Sequence, residues 1–403
     1  MRSVSEIPTL EFQPRLAHSS SRSRMSVVAI GDVNLLEDYV HAWEDLAATA
    51  IEANPFYEPW MLMPALRELA AGKDIRVVMV LDVSGEQPVL CGAFPLEKKA
   101  SYKGLPIAVL SLWQHIYCAL CTPLVREGYA RECLDAFLNW LGLESGCSLM
   151  EFNLISGDGA FNRILSDCLF ERATSSLLCE SYSRALFRPA ESAEEYLESA
   201  ISPKHRREMR RVQRRLSELG RVEFDELEQE GEVDAWVEEF LELEASSWKG
   251  EQGSALGCVD ANRNYFVTIT REAFRRGRLM MTAMRLDGRP LAQRLSFVAS
   301  RGAFAFKTAY DESYAGFSPG ISLEIDTIRR LHASTEIDWM DSCATPIHFI
   351  NRLWTDRRAI STVLISTGRK SGDLLVEIMP LMKRLNRGLK SIRQSAATKE
   401  REK

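Results

Sequence analysis

Ala303-Phe304-Ala305-Phe306-Lys307-Thr308-Ala309-Tyr310-Asp311 is followed by Glu312-Ser313-Tyr314-Ala315-Gly316-Phe317-Ser318-Pro319-Gly320 and then by a helical pattern from Ile321 to Leu331. The first nine residues read as a strand. Period-2 alternation puts Ala303, Ala305, Lys307, Ala309 and Asp311 on one face, and Phe304, Phe306, Thr308 and Tyr310 on the other. The strand passes through a Gly/Pro loop onto a helix. Ser318 fits the N-cap and Pro319 the first helical position. Gly320 beside them lets a ligand approach the backbone. No Asp or Glu occupies the first turn, and Glu324 comes later. Helix starts carry free N–H groups and partial positive charge, so this end suits a phosphate or pyrophosphate. Read alone, the same residues also make an ordinary capped helix.

The elements around this stretch occur twice. Before it lie helical patterns at 193–200, 204–219, 234–247 and 262–275, then a hairpin from Leu279 to Leu286 and Leu291 to Val298 across Asp287-Gly288-Arg289-Pro290. After it come a strand at 337–341, a short helix at 346–354 and a strand at 359–365. The first half has helices at 34–53 and 60–70, a hairpin of 75–83 and 89–96, strands near 107–112 and 149–155, a helix at 129–141 and a closing strand at 182–187. Gly/Pro turns between alternating strands signal hairpins. The reading is an α/β (α+β) chain of two halves on central, mostly antiparallel sheets flanked by helices. The halves span 26–190 and 191–366, with the boundary near Pro189. Residues 1–25 read as a disordered leader without the apolar centre of a signal peptide. Residues 367–403 carry an apolar helical stripe (Leu374, Leu375, Ile378, Met379, Met382, Leu385, Leu389) beside Lys383, Arg384, Arg387, Lys390 and Arg393. Such a helix docks on its own protein, a synthase-type partner or a peripheral membrane surface.

At 403 residues, with 46% hydrophobic and 26% charged, the chain has the composition of a globular protein of more than one domain. Its net charge of -6 argues against broad nucleic-acid binding. No apolar run is long enough to span a bilayer. Nine dispersed cysteines fit a reducing, cytoplasmic setting. Cys118-Ala119-Leu120-Cys121 has redox or zinc spacing without a second pair, so strand core is the default and no metal is expected.

These residues resemble the GNAT-like acyltransferase domain of bacterial cellulose-biosynthesis-type acetyltransferases, relatives of the double-domain aminoacyltransferases of peptidoglycan synthesis. The resemblance rests on Ser202-Pro203-Lys204 through Arg210-Arg211, Leu219-Gly220-Arg221-Val222, Ser247-Trp248-Lys249, Asp287-Gly288-Arg289-Pro290-Leu291-Ala292, Lys307 to Asp311 and Ser318-Pro319-Gly320. Asn54-Pro55-Phe56 before Trp60 and Phe94-Pro95-Leu96 add a weaker match in the first half. It implies two tandem GNAT-like domains, with acyl-CoA (acetyl-CoA) as donor held by Tyr310, Asp311, Ser318, Pro319 and Gly320. One departure stands out. The family's Tyr-Lys pair ahead of a Trp is missing between Asp341 and Trp354, so its role falls to His348 or Asn351, or is lost.

Transfer from a thioester to an amine needs a polarised carbonyl, a deprotonated amine and a neutralised thiolate. Lys307 reads as a pocket residue or one half of an ion pair. Asp341, at a strand end, reads as a base with a desolvation-raised pKa or as a loop anchor. His348 has the intrinsic pKa for proton transfer, and Cys343 lacks a Cys-His-acid set. The basic helix from Lys204, including Arg210 and Arg211, suits donor phosphates, a carrier protein or an anionic saccharide, or is a solvated face paired with Glu223 to Glu232. Trp248 and Lys249 fit a pocket wall. His115, among Trp113, Gln114 and Tyr117, is assigned to the acceptor side of an interdomain cleft, with strand core as the alternative. The resulting expectation is an acyl-CoA-dependent N-acyltransferase acting on an amine of a sugar, envelope precursor or amino-acid-like acceptor. The rivals are an aminoacyl- or acyl-carrier-dependent transferase and a non-catalytic scaffold of a polysaccharide-synthesis complex.

Overall fold

The computed structural model describes residues 25–380. The first half runs β1 (Met25–Ile30), α1 (Val40–Ala48), α2 (Pro59–Leu69), β2 (Asp74–Asp82), β3 (Val89–Lys99), β4 (Val109–Leu112) and β5 (Leu124–Val125). It continues with α3 (Ala130–Leu143), β6 (Leu149–Ser156), α4 (Ala160–Glu171) and β7 (Ser176–Phe187). The second half opens with α5 (Ala193–Ala200), α6 (Pro203–Ser217), β8 (Val222–Glu226), α7 (Val233–Ala245), α8 (Trp248–Glu251) and α9 (Asp260–Arg275). Then come β9 (Leu279–Leu286), β10 (Arg289–Ala299), β11 (Gly302–Tyr310), α10 (Pro319–Ala333), β12 (Trp339–Asp341) and β13 (Asp356–Ser366). β1 and β8 were not expected from the sequence. The Asp287-Gly288 turn has both residues at positive φ, the geometry that joins two twisted antiparallel strands tightly.

All strands join one sheet in the order β1-β2-β3-β4-β6-β13-β7-β12-β11-β10-β9-β8, with β5 on β3. The pairing is antiparallel except at β4–β6 and β11–β12. Each half therefore has four antiparallel strands in a row, β1-β2-β3-β4 and β8-β9-β10-β11, ending in one parallel step. The last strands are exchanged. β13 from the chain's end pairs with β6, while β7 pairs with β12, and the two pair with each other. This exchange knits the halves together. Apolar packing does the same: Trp60 meets Phe297 at 5.4 Å between centroids, and Phe56 meets Phe304 at 6.1 Å.

The two parallel steps differ in what fills them. Strands that pair in parallel for three residues and then diverge leave a V-shaped gap. In the first half, 119–122 close that gap. The Cys121 N–H donates to Leu154 O (2.9 Å), the Ser156 N–H to Thr122 Oγ1 (2.9 Å), and Asn54 Nδ2 to Leu120 O and Thr122 O. In the second half the gap stays open. Among the described residues no helix is long and apolar enough to cross a membrane. Residues 370–380 are helical, and Leu375, Val376 and Met379 are buried against Tyr102, Val109, Leu149 and Leu364. Leu374 is exposed. The basic residues from Lys383 onward, and residues 1–24 of the expected leader 1–25, lie outside the described residues, while Met25 opens β1.

Candidate functional site

β11 decides the geometry of the gap. It pairs with β12 only over Gly302, Ala303 and Phe304. On its other side Leu295 faces Lys307 and Ser296 faces Ala305, so Phe306 is an extra residue, a β-bulge. The bulge corrects the expected alternation. Ala303 and Ala305 pack with the cluster that includes Ile328 and Leu331 of α10, whereas Phe304, Phe306 and Ala309 join the core that includes α7 and α9. Lys307 follows the Phe face, because an inserted residue flips every later side chain. Its Nζ lies 3.2 Å from Glu244 Oε1 of α7 and 5.2 Å from the centre of the Tyr117 ring. Tyr310 falls on the α10 face.

Two clefts flank the gap, one on each face of the sheet. The first, about 620 Å³, is lined by Tyr310, Ser318, Pro319, Gly320 and Glu324 together with Arg294 and His348. The second, about 640 Å³, lies between the halves and is lined by Phe56, Gln114, Tyr117, Glu180, Tyr182 and Arg184. Both share Ala305, Phe306, Lys307, Cys343, Ala344 and Thr345. These six residues form a throat. Beyond Phe304 the β12-facing edge of β11 has no strand partner, so its backbone polar groups border the throat.

At the α10 end, Pro319 lacks an N–H, and the Ile321 and Ser322 N–H groups reach Ser318 O. The first turn has no acidic side chain. Ser318 occupies the N-cap position at φ 51°, but its side chain makes no capping bond, which corrects the sequence expectation. A Cβ built on Gly320 would meet only Tyr310 Cδ1, at 3.9 Å, so the cleft has room there. Asp311 is turned to another task. Its Oδ1 accepts from the Ser313 N–H and hydroxyl, and its Oδ2 pairs with Arg289 at 2.6 Å. It shapes the loop and does not line the cleft.

The remaining sequence-chosen residues divide sharply. Asp341 is fully buried between Arg184 (2.7 Å) and Arg358 (3.0 Å) and accepts from the Cys343 N–H (2.9 Å). Burial pushes its carboxyl up, but the two guanidinium groups outweigh this and hold it below the usual range. A carboxylate so held is a poor proton acceptor, so the expected raised pKa is corrected and Asp341 is an anchor. Arg358 also reaches Glu52 at 3.6 Å. His115 is core, not cleft. It is 2% exposed, packs 5.3 Å from the Tyr265 ring, and burial, with Lys73 adding, lowers its pKa to about 3. Its neighbours Gln114 and Tyr117 line the second cleft instead. Burial, then Glu244, pushes the Tyr117 phenol up to about 12.

His348 sits on the rim of the first cleft, where burial and then Arg294 lower its pKa. Its Nδ1 accepts from the Ile350 N–H at 3.3 Å, which leaves the proton on Nε2 in the neutral ring. Asn351 is spent on the loop, donating to Thr345 O, Pro346 O and His348 O. Arg210 and Arg211 are exposed on α6 and line neither cleft; Arg211 pairs with Glu208 at 2.6 Å. Trp248 and Lys249 open α8, and their side chains lie outside the described residues. Cys343 is in the throat at φ 52°, but burial and Asp341 raise its thiol pKa, which disfavours the nucleophilic thiolate. Cys118 and Cys121 are buried, with sulfurs 3.8 Å apart.

Sequence reasoning missed three buried acids and bases that hold the throat. Glu244 is 1% exposed and also accepts from the Leu256 N–H. Arg294 pairs with Glu324, which accepts from Trp354 Nε1 at 2.8 Å. Arg294 and Glu324 sit inside apolar runs of β10 and α10. A charge at a core-facing position is the one signal that points to them.

Residues 203–346 match the family model for an acetyltransferase (GNAT) domain. That segment holds β11, α10 and the throat. No curated protein matches the chain. Among solved structures, FemX is similar at 9% identity and a TM-score of 0.51, covering 81% of this chain and 95% of that one. A conserved protein of unknown function from Bacteroides thetaiotaomicron VPI-5482 gives 10% identity and 0.49, covering 81% and 97%. A tandem GNAT protein from the clavulanic acid biosynthesis pathway gives 15% and 0.41, covering 86% and 99%. The FemX likeness carries the fold across both halves.

Proposed function

We propose that the protein moves an acyl group, acetyl in the simplest case, from acyl-CoA to an amine held between its two halves. The observation that carries this reading is the throat between β11 and β12, open to a cleft on each side of the sheet. A donor and an acceptor entering from opposite faces meet there without crossing. The donor's phosphates belong at the start of α10, near Ser318, Pro319 and Gly320, where the Gly320 N–H, without a partner among the described residues, and the helix dipole favour an anion. Tyr310 forms the wall beside them. The thioester carbonyl belongs at the unpaired edge of β11, whose N–H groups stabilise developing negative charge.

The donor supplies an activated acyl group. The protein's own groups do the rest. His348 carries a proton on Nε2 and is placed to hydrogen-bond the departing sulfur; as the C–N bond forms and the C–S bond breaks, the proton shed by the amine nitrogen passes to that sulfur, which leaves as the CoA thiol. Lys307, held by Glu244, keeps a positive charge at the throat. Neither Asp341 nor Lys307 is a free base, so the attacking amine arrives neutral from solution and the rate comes chiefly from holding both reactants in register. Direct transfer in a ternary complex follows, without an acyl-enzyme on Cys343. The acceptors suggested by the cellulose-biosynthesis-type resemblance are sugar, envelope-precursor or amino-acid-like amines, and nine cysteines without a disulfide fit a cytoplasmic setting.

A second reading draws on α6, where Arg207, Arg210 and Arg214 are exposed and have no ion-pair partner among the described residues. Such a face suits the phosphates of a carrier-bound or RNA-bound donor. Initial-rate kinetics with acetyl-CoA and varied amines, following release of the CoA thiol, separates the readings. Intersecting double-reciprocal lines support direct transfer from CoA. Thiol release only with an acylated carrier supports the second reading.

A further inference from the structure

The second cleft has a charge pattern that selects its occupant. Along β7, Glu180, Tyr182 and Arg184 alternate onto one face and line it. Three ionisable side chains with full charges border this cleft: Glu180, Arg184 and Lys307. Both cations are already balanced. Arg184 is 2% exposed and bonded to Asp341 and to Ala119 O (2.6 Å), and Lys307 is held by Glu244. Glu180 is exposed and has no ion-pair or hydrogen-bond partner among the described residues. The walls beside it are aromatic: Tyr117, Tyr182, Phe306 and Phe56. Tyr117 is fixed by stacking on Tyr265 at 5.7 Å. Aromatic faces and an unbalanced carboxylate both attract cations.

Resting on the reading of this cleft as the acceptor side, we infer that the acceptor carries a positive charge received by Glu180. The nitrogen that attacks must be neutral in the throat. The charge at Glu180 therefore belongs to a second group of the same molecule. Glu180 is four residues along β7 from Arg184, about 13 Å at strand spacing. Arg184 reaches Asp341, beside the throat. The acceptor class is thus an elongated polyamine-like or basic amino-acid-like molecule with one reacting amine and a distal ammonium or guanidinium.

Calorimetric titration of spermidine and of hexylamine tests this, using the full chain loaded with CoA and the variants Glu180→Gln and Glu180→Lys. Glu180 is exposed, so both variants should fold. Wild type should bind spermidine about tenfold more tightly than hexylamine or better. Glu180→Gln should bring that ratio near one, and Glu180→Lys should abolish spermidine binding. Equal affinities in wild type, or an unchanged ratio in Glu180→Gln, overturn the inference. If CoA itself fails to bind, the donor assignment falls, and the same amine titrations on the free protein still decide the role of Glu180.

Discussion

Lys307 Nζ lies 3.2 Å from Glu244 Oε1, across the boundary between β11 and α7, and the pair exists because Phe306 is a bulge. Without the extra residue Lys307 would face α10. The ammonium balances a carboxylate that is only 1% exposed. Lys307→Met should destabilise the protein by about 1–3 kcal/mol, since a buried charge loses its cation. Lys307→Arg should recover much of this. Chemical denaturation of the three proteins measures it, and equal midpoints would contradict the role given to the pair.

Asp341 anchors Arg184 and Arg358 at the exchanged strands β7 and β13. Asp341→Asn leaves two buried guanidinium groups short of charge and should cost about 3–5 kcal/mol. The lowered carboxyl pKa adds a pH signature. A carboxylate depressed in the folded state stabilises above its unfolded pKa, and that stability is lost as pH falls through the folded value. Acid unfolding of wild type below about pH 4 should therefore be steeper than that of Asp341→Asn. Full stability with lost activity would restore Asp341 as a catalytic base.

His115 gives a separate window. Its pKa falls from 6.5 to about 3 on folding, so between these values the unfolded chain binds the extra proton. Stability should rise with pH across that window, by up to about 1.4 kcal/mol per pH unit from this group. In His115→Phe the slope between pH 6 and 4 should shrink by about one proton. Denaturant midpoints across that range measure it. An unchanged slope would mean the imidazole titrates normally and is open to solvent.

Arg210 and Arg211 lie outside the donor cleft. The double variant Arg210→Glu with Arg211→Glu should leave CoA affinity within about threefold, the residue of long-range screening. A loss of a hundredfold would bring α6 into the donor site.

Much of this architecture was legible in the chain. The two hairpins, the Asp287-Gly288 turn and the strand–loop–helix at 303–331 are local features, set by alternation and turn chemistry. What escaped were effects of long-range pairing. The bulge at Phe306 leaves the same residues in the same order and changes only the register against β10, so period-2 reasoning placed Lys307 on the wrong face. The exchange of β7 and β13 depends on partners some 180 residues apart. Asp341 and His115 looked like site residues because polar groups at strand ends often are. Their burial came from elements far away in sequence: Arg184 and Arg358 for one, Tyr265 for the other. The start of α10 at Ser318, Pro319 and Gly320 was legible because a helix start announces itself locally.

The start of α10 as an anion site is the claim on which the rest depends. Titrating CoA into wild type and Gly320→Asp tests it most directly. The added side chain has room beside Tyr310, and an acidic residue in a first turn favours the helix, so the variant should fold. The expected result is CoA binding by wild type and affinity at least about tenfold weaker in Gly320→Asp, from charge repulsion at the phosphates. Equal affinity in the two proteins would contradict the account.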